Sequence, residues 1–403
     1  MDADERALTN WLDAAPNRER TGDFLGMRLN ALGAVLERLP RPPDPLTIAG
    51  TKGKGSTLAL VEAALLAHGE RTLAFSSPHV TSVLERWRMD GRSVPAKLAW
   101  KAGQMVQRVE DNLGGNLLTW YERAFALAVV LAGSAPDIRF LVEVGLGGRL
   151  DCANVLNAAV AVVTHLSHDH RDVLGPTLRH IAGEKLPIAR PGRPLVIARQ
   201  SPEADLAITT AIADGVAAGA VVHRPVPSPF TLALAGAHQQ DNAATALLAA
   251  RLLRGDLDEG NARVAMAQVT LAARCQLIRH QGRRILIDGA HNGPSVAATL
   301  AVARDLLTPG FTVVLGLAQD KELAEIRAAI PGEIPLHRCA YASPRARRQD
   351  QWQDGASSLN GTPWHDDIRE ALGAIPGDLC VTGSFYLAGE ALSALDAHSF
   401  PKA

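Results

Sequence analysis

The sequence predicts an α/β protein: a doubly wound, mostly parallel sheet followed by a second, smaller α/β unit. Three observations carry that expectation. A short apolar run, Leu46-Thr47-Ile48-Ala49, breaks into the glycine-rich turn Gly50-Thr51-Lys52-Gly53-Lys54-Gly55-Ser56-Thr57, after which Leu58, Val61, Ala64 and Leu65 recur at helical spacing. Apolar strands then alternate with helical stretches as far as residue 254, the pattern of a parallel sheet covered by helices. The alternation restarts at Arg284-Ile285-Leu286-Ile287, which runs into Asp288-Gly289-Ala290-His291-Asn292. Met266–Arg274 is the candidate boundary, giving a first domain over 1–270 and a second over 271–403.

Residues 7–39 read as helical, with Leu25, Leu29, Leu32, Val35 and Leu36 as an apolar stripe, and the prolines Pro40, Pro42, Pro43 and Pro45 end them. Strand Arg71–Phe75 runs into Ser76-Ser77-Pro78-His79. Residues 97–133 read as helical. Strand Phe140–Val144 stops at Gly145-Leu146-Gly147-Gly148, and strand Ala159–Leu166 stops at Ser167-His168-Asp169-His170. A short helix over Thr177–Lys185 is closed by Pro187. Strand Pro194–Ala198 and alanine-rich helices near 203–216 and 240–254 complete the first unit. In the second, a helix through Leu306 precedes strand Phe311–Leu315, a helix from about Lys321, strand Leu336–Ala340, strand Leu379–Val381 and a last helix.

The 403 residues are 47% hydrophobic and 21% charged with a net charge of −1, ordinary for a globular protein and too balanced for electrostatic capture of nucleic acid or an anionic membrane. No apolar run approaches the roughly 18 residues of a membrane helix. The opening stretch, MDADERALTNW, is acidic and polar, unlike a secretory signal. Cys152, Cys275, Cys339 and Cys380 are scattered and fit neither a zinc spacing nor a disulfide framework. The expectation is a cytoplasmic protein without nucleic-acid or membrane partners.

Strand, glycine-rich turn and helix together make a phosphate-binding context. The glycines let successive N–H groups point inward, and the helix N-terminus adds its positive dipole end. Lys54 can neutralise the outer phosphates, and Ser56 or Thr57 offers a hydroxyl to phosphate or Mg²⁺. The strict form GxxxxGK[ST] is absent; GTKGKGST is a compressed relative. Ligands of open α/β sheets bind at the carboxyl ends of the strands. Ser77, Glu143 and His170 each follow a strand or sit near its end, so they should gather beside the phosphates. A carboxylate and a hydroxyl there suit Mg²⁺, a hard cation; imidazole is a less common ligand. Two patterns mislead. Gly145-Leu146-Gly147-Gly148 lacks the third glycine of a dinucleotide fingerprint, Leu150 standing in its place. His165, His168, Asp169 and His170 approximate the HxHxDH run of binuclear metallohydrolases, but residue 167 is serine, and a hydrolase leaves the phosphate loop unexplained.

Taken together, GTKGKGST (50–57), SSPH with ERWRMDG (76–91), VEVGLGGRLDCANV (142–155), HDHRDVLGPTLRHIAGEK (168–185), GAHQQDNAATAL (236–247), DGAHN (288–292), DKE (320–322), SPRA (343–346) and VTGSFYLAGE (381–390) resemble the folylpolyglutamate synthase/dihydrofolate synthase family of the Mur-ligase superfamily. The resemblance spans nearly the whole chain in the family's order. It implies an ATP-binding N-terminal domain with a phosphate loop, a smaller Rossmann-like C-terminal domain, and catalysis in the cleft between them. The implied reaction is ATP-dependent, ADP-forming addition of L-glutamate to a folate or dihydropteroate through an acyl phosphate, by a monomer using ATP and Mg²⁺. A ligase of the same mechanism acting on a non-folate acid or another amine is the alternative; a metallohydrolase is the remote one.

The resemblance also assigns roles. Lys54, Glu143, His170 and Lys185 are the expected catalytic residues. Mg²⁺ falls to Ser56, Ser77, Glu143, His170 and Lys185, the last carbamylated by CO₂ into an anionic oxygen ligand. The nucleotide falls to Gly50, Thr51, Lys52, Gly53, Lys54, Gly55, Ser56 and Thr57, with Arg274, Asp288 and His291 from the second domain. Substrate binding falls to Arg28, Pro78, His79, Trp120, Arg123, Asp169 and Ser384. Arg123 and Phe125 stand where the family usually has phenylalanine and threonine, Ala273-Arg274-Cys275-Gln276 departs from its GR-x-Q segment, and residues 199–235 are short, so the acceptor pocket is the least determined part. Arg123 either pairs with the acceptor carboxylate or is a surface helix arginine.

Overall fold

Strand β1 (Leu46–Ala49) is buried along its whole length, which places it mid-sheet and makes it the element from which the site is suspended. The computed structural model describes residues 2–18, 29–135, 137–354 and 357–395. Around β1, in chain order, come α1 (Ala3–Asp13), α2 (Asn30–Leu36), α3 (Lys54–Leu66), β2 (Arg71–Phe75), β3 (Trp87–Met89), β4 (Arg92–Ser93), α4 (Ala96–Asn112) and α5 (Trp120–Gly133). Then follow β5 (Ile138–Glu143), β6 (Val160–Val163), α6 (Arg171–Leu174), α7 (Leu178–Lys185), β7 (Pro194–Ile197), α8 (Pro202–Ala213), β8 (Val221–His223), α9 (His238–Leu253) and α10 (Glu259–Met266). The eight strands lie in the order β4-β3-β2-β5-β1-β6-β7-β8, and only β3 runs against the others.

Alternation along these strands divides the core by face. Leu46, Ile48, Leu141, Val160 and Val162 pack with α3, α9 and α10, while Ala49, Phe140, Val142, Ala161 and Val163 pack on the other side with Phe125 and Ile181. Helix α3 is apolar all round because the sheet covers one side and α9 and α10 the other. This is the doubly wound arrangement expected from the sequence.

The second sheet is built from β9 (Gln276–His280), β10 (Arg283–Ile287), α11 (Gly293–Leu306), β11 (Thr312–Leu315), α12 (Leu323–Ala329), β12 (Leu336–Cys339), a small ribbon of β13 (Gln353–Asp354) and β14 (Ser357–Ser358), β15 (Trp364–His365), α13 (Ile368–Ala374), β16 (Leu379–Thr382) and α14 (Phe385–Ala394). Its order is β15-β12-β11-β16-β10-β9, and only β9 runs antiparallel. Leu286, Val313, Leu315 and Cys380 pack on the α11 and α12 side; Ile285, Ile287, Val314 and Val381 pack on the α13 and α14 side. A smaller Rossmann-like α/β unit therefore follows the first.

Two long helical expectations are corrected. The stretch 97–133 is two helices, because Gly114, Gly115 and Asn116 take positive φ and turn the chain between α4 and α5. The stretch 7–39 is also broken: α1 stops at Asp13 ahead of Pro16, and α2 starts at Asn30. Leu25 and Arg28 lie outside the described residues. The short strands β3, β4, β8 and β9 were not expected from the sequence.

Arg123 is not a surface arginine but a buried one. It is 4% exposed, its Nε donates to Glu110 Oε2 at 2.9 Å, its Nη1 donates to the Trp11 carbonyl at 2.6 Å, and its guanidinium lies over the Trp11 ring. It ties α1 to α4 and α5. Arg123→Met leaves Glu110 buried without its partner and is expected to destabilise the protein by about 3–5 kcal/mol in denaturant unfolding, most of which Glu110→Leu in the same chain should restore. A loss within experimental error would show that this pair does not hold α1.

Candidate functional site

Three neighbouring strands end at one edge of the first sheet, and the loops that leave them form the site. β1 pairs with β5 on one side, Ile48 opposite Glu143, and with β6 on the other, Ala49 opposite Val163. The glycine-rich turn is thus flanked by Glu143 and by the loop that carries Asp169 and His170.

The turn is anchored before it reaches its phosphate-facing amides. The N–H groups of Thr51 and Lys52 donate to the His165 carbonyl at 3.0 and 3.1 Å, and the Thr51 hydroxyl donates to the Ser167 carbonyl and accepts from the Ser167 N–H. Gly53 then caps α3 at φ +87°, where a Cβ would collide with the Asn242 side chain. Gly53 has no side chain to cap with, so the first N–H groups of α3, on Lys54, Gly55 and Ser56, are left without helical partners at the positive end of the helix. Thr57 Oγ1, fully buried one position further, has no hydrogen-bond partner among the described residues. This is the signature of an anion cradle.

Carboxylate and ammonium groups converge on the cradle. A Cβ on Gly55 would stand 3.4 Å from Glu143 Oε2 and 3.8 Å from Arg274 Nη2, so Arg274, from beyond residue 270, reaches the same loop. Glu143 is 3% exposed and accepts from the Ser77 N–H at 3.3 Å; burial pushes its carboxyl up, and Lys54 and Arg274 pull it back. Lys185, at the end of α7, is 4% exposed and donates to the Gly50 carbonyl at 3.0 Å, the oxygen that Lys54 Nζ reaches at 3.3 Å. Burial, reinforced by Lys54, brings the Lys185 amine down to about 7. His170, in a left-handed conformation at the start of α6, is held below its ordinary pKa by burial, with Lys321, Lys185 and Lys54 adding to it against Asp169.

Asp169 sits among basic groups. Burial raises its carboxyl, but His170, His291, Lys52 and Lys321 outweigh that and hold it below the ordinary value. The first two belong one to each sheet, as do the last two. His291 is brought down to about 4 by burial and by Lys321 and Lys52, so its imidazole is neutral at pH 7, with Nδ1 2.9 Å from the Gly289 carbonyl. Arg274 lies over the Phe385 ring at 4.3 Å. Asp288, expected at the nucleotide, also organises its own turn: Oδ2 accepts from the Cys275 N–H at 2.7 Å, and Oδ1 from the Ala290 N–H and the Thr299 hydroxyl at 2.9 and 2.8 Å.

The expected substrate wall divides. Pro78 is exposed, and His79 stacks on the Trp120 ring, with centroids 6.2 Å apart, while its Nδ1 accepts from Arg86 Nε at 2.9 Å. Burial and the Arg86 charge hold His79 neutral, at about 3. The Trp120 indole N–H is taken by Asp13 at 2.9 Å. Ser384 caps α14, accepting from the Tyr386 N–H at 3.1 Å, and so shapes the helix start.

Three residues carry weight that the sequence did not assign them. Asp151, raised to about 6 by burial, accepts from the Gly145, Leu146 and Ala153 N–H groups and so folds the turn after β5. Arg88 pairs with buried Glu62 at 2.8 Å and donates to Ser76 Oγ at 3.0 Å, steadying the strand end before Ser77. Lys321, inside the DKE match, pairs with Asp320 at 3.4 Å, and its charge acts on Asp169 and His170.

Among the described residues no group of three or more His, Cys, Asp or Glu side chains could hold a metal by themselves. That fits Mg²⁺ in one specific way: it keeps waters and substrate phosphates as ligands and takes only one or two protein carboxylates. Buried Glu143, the hydroxyls of Ser56 and Ser77 and the orphaned Thr57 hydroxyl are such a set beside a polyphosphate cradle.

No family model matches the chain. The chain is 30% identical over 416 aligned residues to dihydrofolate synthase/folylpolyglutamate synthase of Escherichia coli K12, covering 97% of this chain and 96% of that one. It superposes with a TM-score of 0.86 at 27% identity on Mycobacterium tuberculosis folylpolyglutamate synthase complexed with ADP, covering 98% and 99% of the two chains. The bifunctional folylpolyglutamate synthase/dihydrofolate synthase of Yersinia pestis complexed with AMPPNP and Mn ion matches at a TM-score of 0.82 and 25% identity over 97% and 98%. With its motifs in order, its two sheets in place and a relative of this identity aligned end to end, the chain belongs to the dihydrofolate synthase/folylpolyglutamate synthase family.

Proposed function

We propose that this chain is an ATP-dependent ligase that adds L-glutamate to a folate or to dihydropteroate, releasing ADP and phosphate. The observation that carries the reading is the open N-terminus of α3, whose unpartnered N–H groups are flanked by Glu143 and faced by Lys54 and Arg274, an arrangement shaped for polyphosphate. A carboxylate is a poor electrophile at neutral pH and needs activation. Its oxygen attacks the γ-phosphorus of ATP in line, the bridging P–O bond breaks, and ADP leaves an acyl phosphate. The glutamate amine then attacks the acyl carbon, a proton leaves the nitrogen, and the C–O bond to phosphate breaks from the tetrahedral intermediate.

In this scheme Lys54 absorbs charge on the phosphoryl oxygens, and the amides of Lys54, Gly55 and Ser56 hold them in place. Mg²⁺, held by Ser56, Ser77, Glu143 and His170, supplies further charge neutralisation at the phosphates. Lys185 joins these residues as a carbamate: its ammonium, lowered to about 7, gives up one proton, CO₂ adds to the neutral amine, a second proton leaves the nitrogen, and the resulting anion is attracted to Lys54. Arg274 and His291 bring the second sheet to the nucleotide. Pro78 and His79 form the acceptor wall, backed by Trp120. The same reading divides the chain into an ATP-binding unit over 1–270 and a C-terminal unit over 271–403, and makes it a cytoplasmic monomer.

Purified protein should release ADP with dihydropteroate or a reduced folate plus L-glutamate, and not when either is withheld. Lys54→Ala should cut that turnover by roughly 10²–10³ with an unchanged circular dichroism spectrum. ADP release with other acids and none with pterins would move the protein to a non-folate ligase of the same mechanism.

The metal side has its own signature. Glu143→Ala and His170→Ala should each raise the Mg²⁺ concentration needed for half-maximal rate and lower kcat. Lys185→Ala should lose activity that short carboxylic acids in the buffer partly restore, because they return the missing oxygen ligand. Full activity of Lys185→Ala without additives would remove the carbamate from the mechanism.

A further inference from the structure

The phosphate loop carries two lysines, and they do different things. Lys54 bends back over the loop to the Gly50 carbonyl. The ammonium of Lys52 instead donates to Asn292 Oδ1 at 3.0 Å and to the Ser295 hydroxyl. Those partners form the first turn of α11, in the second sheet's unit: Asn292 is the N-cap, and its Oδ1 also accepts from the Ser295 N–H at 3.1 Å and the Ser295 hydroxyl at 2.5 Å. A cation at the positive end of a helix is unfavourable by itself. Here the cap oxygens and the nearby Asp169 offset that cost. The next residue back from Asn292 is His291, and Lys321 is among the charges felt by both Lys52 and His291.

We propose that Lys52, Asn292 and Ser295 form a clasp between the phosphate loop and the start of α11. In it Lys52 is a positioning residue, not a phosphate ligand: it sets His291 and Lys321 in register with Lys54 and Glu143. The inference rests on the nucleotide reading of the loop. It deepens that reading by assigning the first lysine to the joint between the two units. The backbone agrees, since the Lys52 N–H is bonded to the His165 carbonyl and does not face the cradle.

The test uses full-length Lys52→Met, Ser295→Ala, the double variant, Asn292→Ala and Asn292→Asp. Three readouts are needed: steady-state ADP release, AMPPNP binding by calorimetry, and amide hydrogen exchange over residues 292–299. Lys52→Met and Ser295→Ala should each lower kcat about tenfold or more, the scale of a charged hydrogen bond, while AMPPNP affinity changes less than kcat does. The double variant should be no worse than Lys52→Met, and exchange at the start of α11 should rise in all three. Asn292→Asp keeps the cap and offers Lys52 an anion, so it should recover most of what Asn292→Ala loses. The clasp is overturned if the single effects multiply in the double variant, if Ser295→Ala matches the parent in kcat and exchange, or if Lys52→Met weakens AMPPNP binding without altering exchange over 292–299. Absence of ADP release by the parent with every acid would instead defeat the ligase reading, and the exchange data would still decide the clasp.

Discussion

The carbonyl oxygen of Gly50 is the point on which the site turns. It ends the buried strand β1, and it receives the ammonium groups of both Lys185, from α7, and Lys54, from the first turn of α3. A strand end in mid-sheet cannot move without the strands beside it, so this oxygen is fixed by the whole doubly wound core. The lysines it gathers inherit that rigidity. One of them is fully enclosed and carries a lowered pKa because the enclosure disfavours its charge. Placing two amines on one carbonyl disfavours the charge of the buried one, and the uncapped start of α3 beside them is where anionic charge can be received.

Charge across the boundary between the two sheets follows the same logic. Asp169 is surrounded by basic groups from both sheets, which leaves the cleft short of negative charge until a polyphosphate arrives. The neutral His291 and the ring-stacked Arg274 face the same space from the second unit. Binding an anion there would relieve repulsion among basic groups that the fold brings together, in keeping with the proposed role of both units at the nucleotide.

Much of this was legible in the sequence, and the parts that were not share a cause. Strand β1, its loop and α3 declare themselves locally, through glycines and apolar spacing, and Glu143 stands out as a carboxylate ending an apolar run. The roles of Thr51, Asp288 and Ser384 did not emerge, because a hydroxyl or carboxylate that serves backbone N–H groups looks the same in sequence as one that serves a ligand. The burial of Arg123 is hidden for a related reason: its partner Glu110 lies on the preceding helix, and helical spacing over 97–133 conceals the Gly114-Gly115 turn that brings the two together. The pairing of Lys52 with Asn292 spans 240 residues and has no local trace at all.

The most direct check on the account is a high-resolution crystal structure with AMPPNP and Mg²⁺. It should show the β- and γ-phosphates on the N–H groups of Lys54, Gly55 and Ser56, with Lys54 Nζ swung from the Gly50 carbonyl onto phosphate oxygen. Phosphates bound elsewhere, with Lys54 still on Gly50 and the start of α3 facing only water, would contradict it.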